Sequence, residues 1–152
     1  MSRMTTMTDK RGMVTTWRYD ACGQLISKTY ADETTEFYKY DKAHQLRKLT
    51  RADGKAIRYR YDDLGRQVSV DYGDSRTGDI TRSFDAAGRK LSESVAATAH
   101  SPASSFAYTH DARGLVTNEV QTIHGRTFTI ARTFNGEGQV EQLTYPKLNA
   151  RR

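Results

Sequence analysis

The sequence predicts an all-β protein of tandem β-hairpin repeats that form a curved open sheet, in the manner of a β-solenoid. An aromatic residue followed by Asp recurs at near-constant spacing, and no segment sustains the periodicity of an amphipathic helix. Hydrophobic residues make up 36% of the 152 residues, which is low for a deep core. Nine Tyr, five Phe and one Trp nevertheless argue against a disordered chain.

Six copies of the repeat are marked by an aromatic residue or by the residue in its place. Their starts lie 21, 21, 23, 26 and 24 residues apart, at Tyr19, Tyr40, Tyr61, Phe84, His110 and Phe134. Asp follows this position in the first five copies and Asn in the sixth, and Gly stands four positions after it in five of the six. The turn signature comprises Tyr19, Asp20, Gly23, Tyr40, Asp41, Tyr61, Asp62, Gly65, Arg66, Phe84, Asp85, Gly88, Arg89, Asp111, Gly114 and Gly138.

The Asp-x-x-Gly segment is typical of a tight turn that joins two antiparallel strands. Asp favours the first turn position because its carboxylate accepts hydrogen bonds from the backbone two residues on, and Gly favours the last. The Gly is free to adopt a positive φ and to start a β-bulge. Before the turn, apolar and charged residues alternate: Ile57, Tyr59 and Tyr61 share one predicted face, and Arg58 and Arg60 share the other.

A second turn lies near the midpoint of each repeat, most clearly at Asp53-Gly54. Each repeat is therefore predicted to contain two strands, and six repeats give about a dozen strands. The array is predicted to span residues 5–146 and to be followed by a tail at 147–152. Because the sequence shows no capping element at either end, we expect a piece of a longer array.

Catalytic and metal-binding hypotheses are weaker than structural ones. Cys22 could serve as a nucleophile with a histidine base, but it occupies a variable turn position that holds Ala, Leu, Arg or Glu in the other copies. His44 and His110 likewise occupy repeat positions. The acidic loop of Asp71, Asp74 and Asp79 lacks the spacing of a calcium-binding loop. We therefore predict no catalytic, cofactor-binding or metal-binding residue and no enzymatic activity.

Binding to a polyanion is the alternative that the charge pattern favours. The net charge is +6, and basic residues such as Arg18, Lys39, Arg58 and Arg60 alternate with aromatic residues. This alternation places cations and rings on opposite faces, whereas single-stranded nucleic acids need both on one face. A surface that binds carbohydrate, heparin or nucleic acid stays the alternative function, and no specific nucleic-acid site is predicted.

The repeat unit resembles the Rhs/YD-repeat family, and the stretch from Leu49 to Arg66 carries the resemblance most closely. Family members include bacterial Rhs toxins, the C components of insecticidal toxin complexes, and animal teneurins. In those proteins the repeats coil into a hollow β-shell that in many bacterial members encloses a C-terminal toxin. The resemblance therefore implies a structural segment of a shell that would encapsulate or present a toxin domain not contained in these 152 residues.

The resemblance also implies the partners and the location of the parent protein. The expected partners are the remainder of the repeat shell, or a self-associating copy, and an enclosed toxin domain. The parent protein is expected to be exported or associated with the cell surface. The sequence itself contains neither a signal peptide nor a hydrophobic stretch long enough to span a membrane. It also lacks the Asp-Pro pair expected of the self-cleaving core that ends many bacterial shells.

Overall fold

The computed structural model describes residues 3–146, and the predicted tail at 147–152 lies outside this range. The chain divides into two compact units, residues 1–74 and 75–152. The first unit contains strands β1 (Thr6–Thr8), β2 (Val14–Tyr19), β3 (Leu25–Thr29), β4 (Thr35–Tyr40), β5 (Leu46–Thr50), β6 (Ala56–Tyr61) and β7 (Gln67–Asp71). The second contains β8 (Ile80–Phe84), β9 (Lys90–Val95), β10 (Ser104–His110), β11 (Val116–Ile123), β12 (Arg126–Phe134) and β13 (Val140–Thr144).

Each unit is an antiparallel meander in which every strand pairs with its neighbours in the sequence. The strand order is β1 to β7 in the first unit and β8 to β13 in the second. Within each unit, the first and last strands do not pair with each other. Residues 3–146 contain no helix, and hence no helix that could cross a membrane. The predicted all-β class and its tandem hairpins are confirmed.

The aromatic position, the Asp and the Gly act together in the hairpin turns that begin each repeat. At Asp62 the backbone N–H of Gly65 donates to the Asp62 carbonyl at 2.9 Å, and the N–H of Asp62 donates to the Arg66 carbonyl at 3.0 Å. Tyr61 then pairs with Gln67 across a shift in register. The same shift occurs in all six repeats. A tight turn that ends in a left-handed glycine and a bulge matches the right-handed twist of the strands.

The second turns are more varied than the first. In the first unit they repeat the same hydrogen-bond pattern, with Glu33 or Gly54 at positive φ. Between β11 and β12 only His124 and Gly125 intervene, both at positive φ, as in a two-residue hairpin. Residues 96–103 form the longer connection between β9 and β10. The turn at Asp9–Gly12 is a further Asp-x-x-Gly turn that the repeat pattern missed, because no aromatic residue precedes it.

Few side chains are buried, because the strands of each unit form a single layer. Among the described residues, only Ile57 and Val70 are buried hydrophobic side chains, with 9% and 4% exposure, and Ser27 is a buried polar one. Ile57 pairs with Leu49 and Val70 pairs with Tyr59 on neighbouring strands of the same face. The hairpins are therefore held by backbone pairing and by cross-strand pairs of an aromatic and an aliphatic residue, such as Tyr38 with Leu49 and Tyr59 with Val70.

Replacing Gly65 by Val should destabilise the protein by about 2 kcal/mol, because a β-branched residue resists positive φ. Gly65 has φ 79°, and a Cβ there would lie 2.9 Å from Nε2 of Gln45.

Glu33→Gly is the companion variant, and its expected effect on the free energy of unfolding is the opposite. Glu33 adopts φ 67°, so its replacement by Gly should stabilise by roughly 0.5 to 1 kcal/mol. Urea unfolding measures both effects. If Gly65→Val and Glu33→Gly had equal free energies of unfolding, the turn assignment would be contradicted.

Candidate functional site

The carboxylate of the repeated Asp organises each turn. In the third repeat, Oδ1 of Asp62 accepts hydrogen bonds from the backbone N–H of Leu64 at 3.0 Å and of Arg66 at 2.9 Å. The other oxygen, Oδ2, accepts from Nε of Arg66 at 2.7 Å. Asn135 replaces the carboxylate in the sixth repeat, and its Oδ1 accepts from the N–H of Glu137 at 3.0 Å and of Gln139 at 2.9 Å. An amide oxygen can therefore accept the same two backbone hydrogen bonds as the carboxylate.

The pKa values of three of these aspartates are lowered from their ordinary range. In Asp85, the backbone N–H of Arg89 lowers the pKa most, desolvation opposes it, and the Arg89 guanidinium lowers the pKa further. In Asp62 and Asp111, desolvation raises the pKa, but backbone and guanidinium donors together outweigh it. The negative charge is thus stabilised by the turn that it caps.

Two of the tyrosines that precede turns, Tyr19 and Tyr61, form a hydrogen bond to the backbone of an earlier segment. The hydroxyl of Tyr61 donates to the carbonyl of Leu46 at 3.0 Å, and the hydroxyl of Tyr19 donates to the carbonyl of Met4 at 3.2 Å. Each of these rings therefore spans from its own strand to a backbone carbonyl fifteen residues earlier. His110 cannot repeat this contact with a phenol, and its Nδ1 is buried without a hydrogen-bond partner in the described part of the chain.

Side chains also connect consecutive turns of the same unit. We call the set Gln24, Gln45, Arg89 and Arg113 the turn ladder, because each side chain donates to a carbonyl of the next repeat's turn. Nε2 of Gln24 donates to the His44 carbonyl at 3.0 Å, and Nε2 of Gln45 donates to the Gly65 carbonyl at 3.0 Å. Nη1 of Arg89 reaches the Asp111 carbonyl at 3.0 Å, and Nη1 of Arg113 reaches the Asn135 carbonyl at 2.6 Å.

Sequence reasoning missed most of the turn ladder. It identified Arg89 in the turn signature but did not select Gln24, Gln45 or Arg113. For Gln24 and Gln45 the available signal was the polar residue after the glycine position, which is Gln in the first, second and sixth repeats and Arg in the third and fourth. Arg113 stands before its glycine, so this signal does not identify it. His44 has a further role there: it adopts φ 63° in place of Gly, and its Nδ1 lies 3.0 Å from Oε1 of Gln24.

The residues of the catalytic and metal hypotheses lie in a turn and in ion pairs. Cys22 is an exposed free cysteine in the first turn. Asp71 pairs with Arg58 at 3.2 Å, and Asp74 pairs with Arg51 at 3.0 Å, so both carboxylates are engaged in ion pairs. Within residues 3–146, no three His, Cys, Asp or Glu side chains converge into a group suited to hold a metal ion.

These features define a class of protein: an array of β-hairpins, each closed by a carboxylate-capped turn and joined to the next. Comparison with known proteins then identifies the repeats. The model of the RHS Repeat family matches residues 3–35 and 40–77, and the predicted resemblance to the Rhs/YD-repeat family is confirmed. A sequence comparison with curated proteins finds no match.

Solved structures of toxin complexes share the fold. The crystal structure of TcdB2-TccC3-Cdc42 aligns with a TM-score of 0.65 and 16% identity, covering 87% of this chain and 9% of that one. The Photorhabdus luminescens Tc holotoxin pore aligns with a TM-score of 0.59 and 15% identity, covering 95% of this chain and 12% of that one. The chain thus spans about a tenth of the length of these proteins, and it shares the fold of the segments with which it aligns.

Acid should destabilise the protein through the turn aspartates. Because the folded pKa of Asp85 lies below its unfolded value, its stabilising effect is present above about pH 4 and is lost as the pH falls through the folded pKa. Circular dichroism between about pH 5 and pH 2 measures this loss. Asp85→Asn retains a turn-capping oxygen but cannot titrate, so its loss of stability with acid should be smaller. An identical acid profile for the variant would contradict the role of this carboxylate.

The turn ladder predicts a loss of stability in Gln45→Ala. The substitution removes the hydrogen bond to the Gly65 carbonyl, at a cost of about 0.5 to 1 kcal/mol. Gln139→Ala is the matched control, because Gln139 occupies the same turn position but, among residues 3–146, its side-chain Oε1 accepts a hydrogen bond from Nδ2 of Asn135 in its own turn, at 3.1 Å, and reaches no later turn. Thermal unfolding compares the two, and the prediction fails if Gln139→Ala costs as much as Gln45→Ala.

Proposed function

We propose that this chain is a structural segment of an Rhs-like shell that encapsulates or presents a toxin or other effector domain lying outside these 152 residues. The observation that carries the proposal is the repeated hairpin itself, with its capped turn and its match to the RHS Repeat family. The fold shared with TcdB2-TccC3 complexes supports it. The partners in this proposal are the further repeats of the shell and the domain that the shell surrounds.

The physical properties of the hairpins suit a wall. The wall of a shell requires a wide sheet rather than a deep core. In this chain each hairpin is stabilised mainly by contacts with the adjacent hairpins. The meander leaves β1 of the first unit and β13 of the second as edge strands, and such an edge accepts a further antiparallel strand. Of the exposed large hydrophobic residues, Val140, Leu143 and Tyr145 lie in or directly after the edge strand β13. These side chains would be covered by the next hairpin of a longer array.

We propose further that the segment is not an enzyme. Support comes from the chemistry of its most frequent acidic residue. The turn aspartates accept hydrogen bonds from their own turns, and these bonds lower the pKa of Asp62, Asp85 and Asp111. A carboxylate held ionised by its backbone is a poor general acid. Cys22 occupies a turn position that tolerates several residue types, which supports a structural role.

The shell proposal is tested on the native polypeptide that contains this sequence. An antibody raised against residues 3–146 should detect a polypeptide much larger than the 17.2 kDa of this chain. Limited proteolysis of that polypeptide should leave a second domain intact, and Gly65→Val, which weakens the wall, should render that domain cleavable. Detection of a polypeptide of only 17.2 kDa, or equal cleavage of the second domain in both proteins, would overturn the proposal.

Cys22→Ala tests the non-catalytic part of the proposal. As an exposed turn residue, Cys22 should tolerate Ala with a change in stability within about 0.5 kcal/mol. Toxicity of the native polypeptide toward target cells should also be unchanged. A selective loss of toxicity in Cys22→Ala, with the unfolding temperature preserved, would instead identify this thiol as part of a reactive site.

A further inference from the structure

One face of the first unit carries a cluster of basic side chains. We call Arg18, Lys39, Lys48, Arg58 and Arg60 the cationic face, because strand alternation places all five side chains on the side opposite Trp17, Tyr38 and Tyr59. The pairing register joins these strands into one surface: Lys39 lies opposite Lys48, and Lys48 lies opposite Arg58. Three cations therefore form a row across β4, β5 and β6.

This row is electrostatically unfavourable in the isolated protein. Like charges directly opposite each other on neighbouring strands destabilise a sheet. Only Arg58 has an acidic partner, Asp71 at 3.2 Å, and both side chains are about half exposed. In the described part of the chain, Arg18, Lys39, Lys48 and Arg60 form no ion pair. Lys39 and Lys48 thus present positive charge that no ion pair within residues 3–146 neutralises.

The repeat does not require these cations. The residue before the aromatic position is basic in all three repeats of the first unit, at Arg18, Lys39 and Arg60. In the second unit the same position is always neutral, at Ser83, Thr109 and Thr133. There the equivalent face forms hydroxyl pairs instead, such as Ser83 with Ser92 at 2.6 Å and Thr81 with Ser94 at 2.6 Å. The positive charge is therefore a property of the first unit rather than of the fold.

An aromatic ring lies on the same face as the cations. Phe37 shares its parity in β4 with Lys39, so the expected separation of rings from charges is broken at this position. Phe37 is 51% exposed and lies opposite Ser27 and Thr50. A shallow groove lined by Arg18, Ile26, Ser27, Phe37, Tyr38 and Lys39 surrounds it. An exposed ring between cations is the combination that the sequence pattern had excluded.

We propose that the cationic face and Phe37 together bind single-stranded nucleic acid without sequence preference. Phosphates would contact the row of cations, and a base would stack on the ring of Phe37. The surface from β2 to β6 crosses four strand spacings, roughly 19 Å at about 4.8 Å each, which accommodates a short single strand. The carboxylates of an acidic peptide could contact the cationic face, but they would not stack on the ring of Phe37. The ring therefore favours a polyanion that carries planar bases.

Fluorescence anisotropy of a labelled oligothymidylate of about 15 nucleotides, in about 20 mM salt, tests the proposal with the full chain. We expect saturable binding that weakens steeply as salt increases, because bound counterions are released from the phosphates. The triple variant Lys39→Ser, Lys48→Ser, Arg58→Thr introduces residue types that the second unit carries at these positions. It should weaken binding about tenfold or more.

Two further variants separate site-specific binding from diffuse attraction. Lys10→Ser, Lys42→Ser, Lys55→Ser removes the same charge from exposed turn residues and should change the affinity by less than about threefold. Phe37→Ser removes the ring and should weaken oligothymidylate binding by about fivefold or more, while leaving the weaker binding of polyglutamate unchanged. Circular dichroism and thermal unfolding verify that each variant is folded.

Each remaining outcome overturns the proposal. Absence of saturable binding would show that the cationic face binds no single strand. Equal losses in the two triple variants would show diffuse attraction to net charge. An unchanged affinity in Phe37→Ser, or equal affinity for polyglutamate, heparin or duplex DNA, would show a general anion surface in which bases take no part.

Discussion

The interaction on which the rest of the structure depends is the hydrogen bonding of one carboxylate to the backbone of its own turn. At Asp62, one oxygen accepts from two backbone N–H groups and the other accepts from the Arg66 guanidinium. These bonds fix where the chain reverses and where the bulge begins. Because a shift of one residue in a strand exchanges its two faces, fixing the turn also fixes which side chains face each other. The aromatic contacts follow from that register.

This dependence on turns explains how a protein with so little buried apolar surface maintains a regular sheet. Only Ile57 and Val70 are buried hydrophobic residues in the described range, so hydrophobic burial alone does not select the register. The turn ladder adds bonds from one repeat to the next, as between Gln45 and the Gly65 carbonyl. Each bond is modest, but it recurs along the array, and recurrence provides the cooperativity that a deep core provides elsewhere.

The fold class could be predicted from the sequence because its signal is local and repeated. Asp-x-x-Gly after an aromatic residue identifies a turn wherever it occurs, and alternation identifies the strand before it. The positive φ of His44 was harder to foresee, since the left-handed conformation is uncommon in residues other than Gly. It follows from the position of His44 in a turn that its neighbours already determine.

The contacts between repeats were less predictable, for a different physical reason. Gln24 and His44 are twenty residues apart, and only the stacking of consecutive turns brings their side chains together. The cationic row similarly depends on pairing register, because Lys39 and Lys48 become neighbours only through the shift beside Tyr40. The alternation pattern along one β-strand assigns a side chain to a face of the sheet, but it does not identify the side chains of other strands that lie beside it.

The two ends of the hairpins are unequal in their freedom to change length. The turns that start the repeats keep four residues in all six copies, and side chains connect several of them to the next. The opposite turns vary from His124-Gly125 to the connection at residues 96–103. Within each unit, the ends that carry the first turns therefore maintain the spacing of the hairpins, while the opposite ends accept insertions with little effect on register. New loops, and with them new surface chemistry, can accumulate at those opposite ends while the sheet that carries them stays the same.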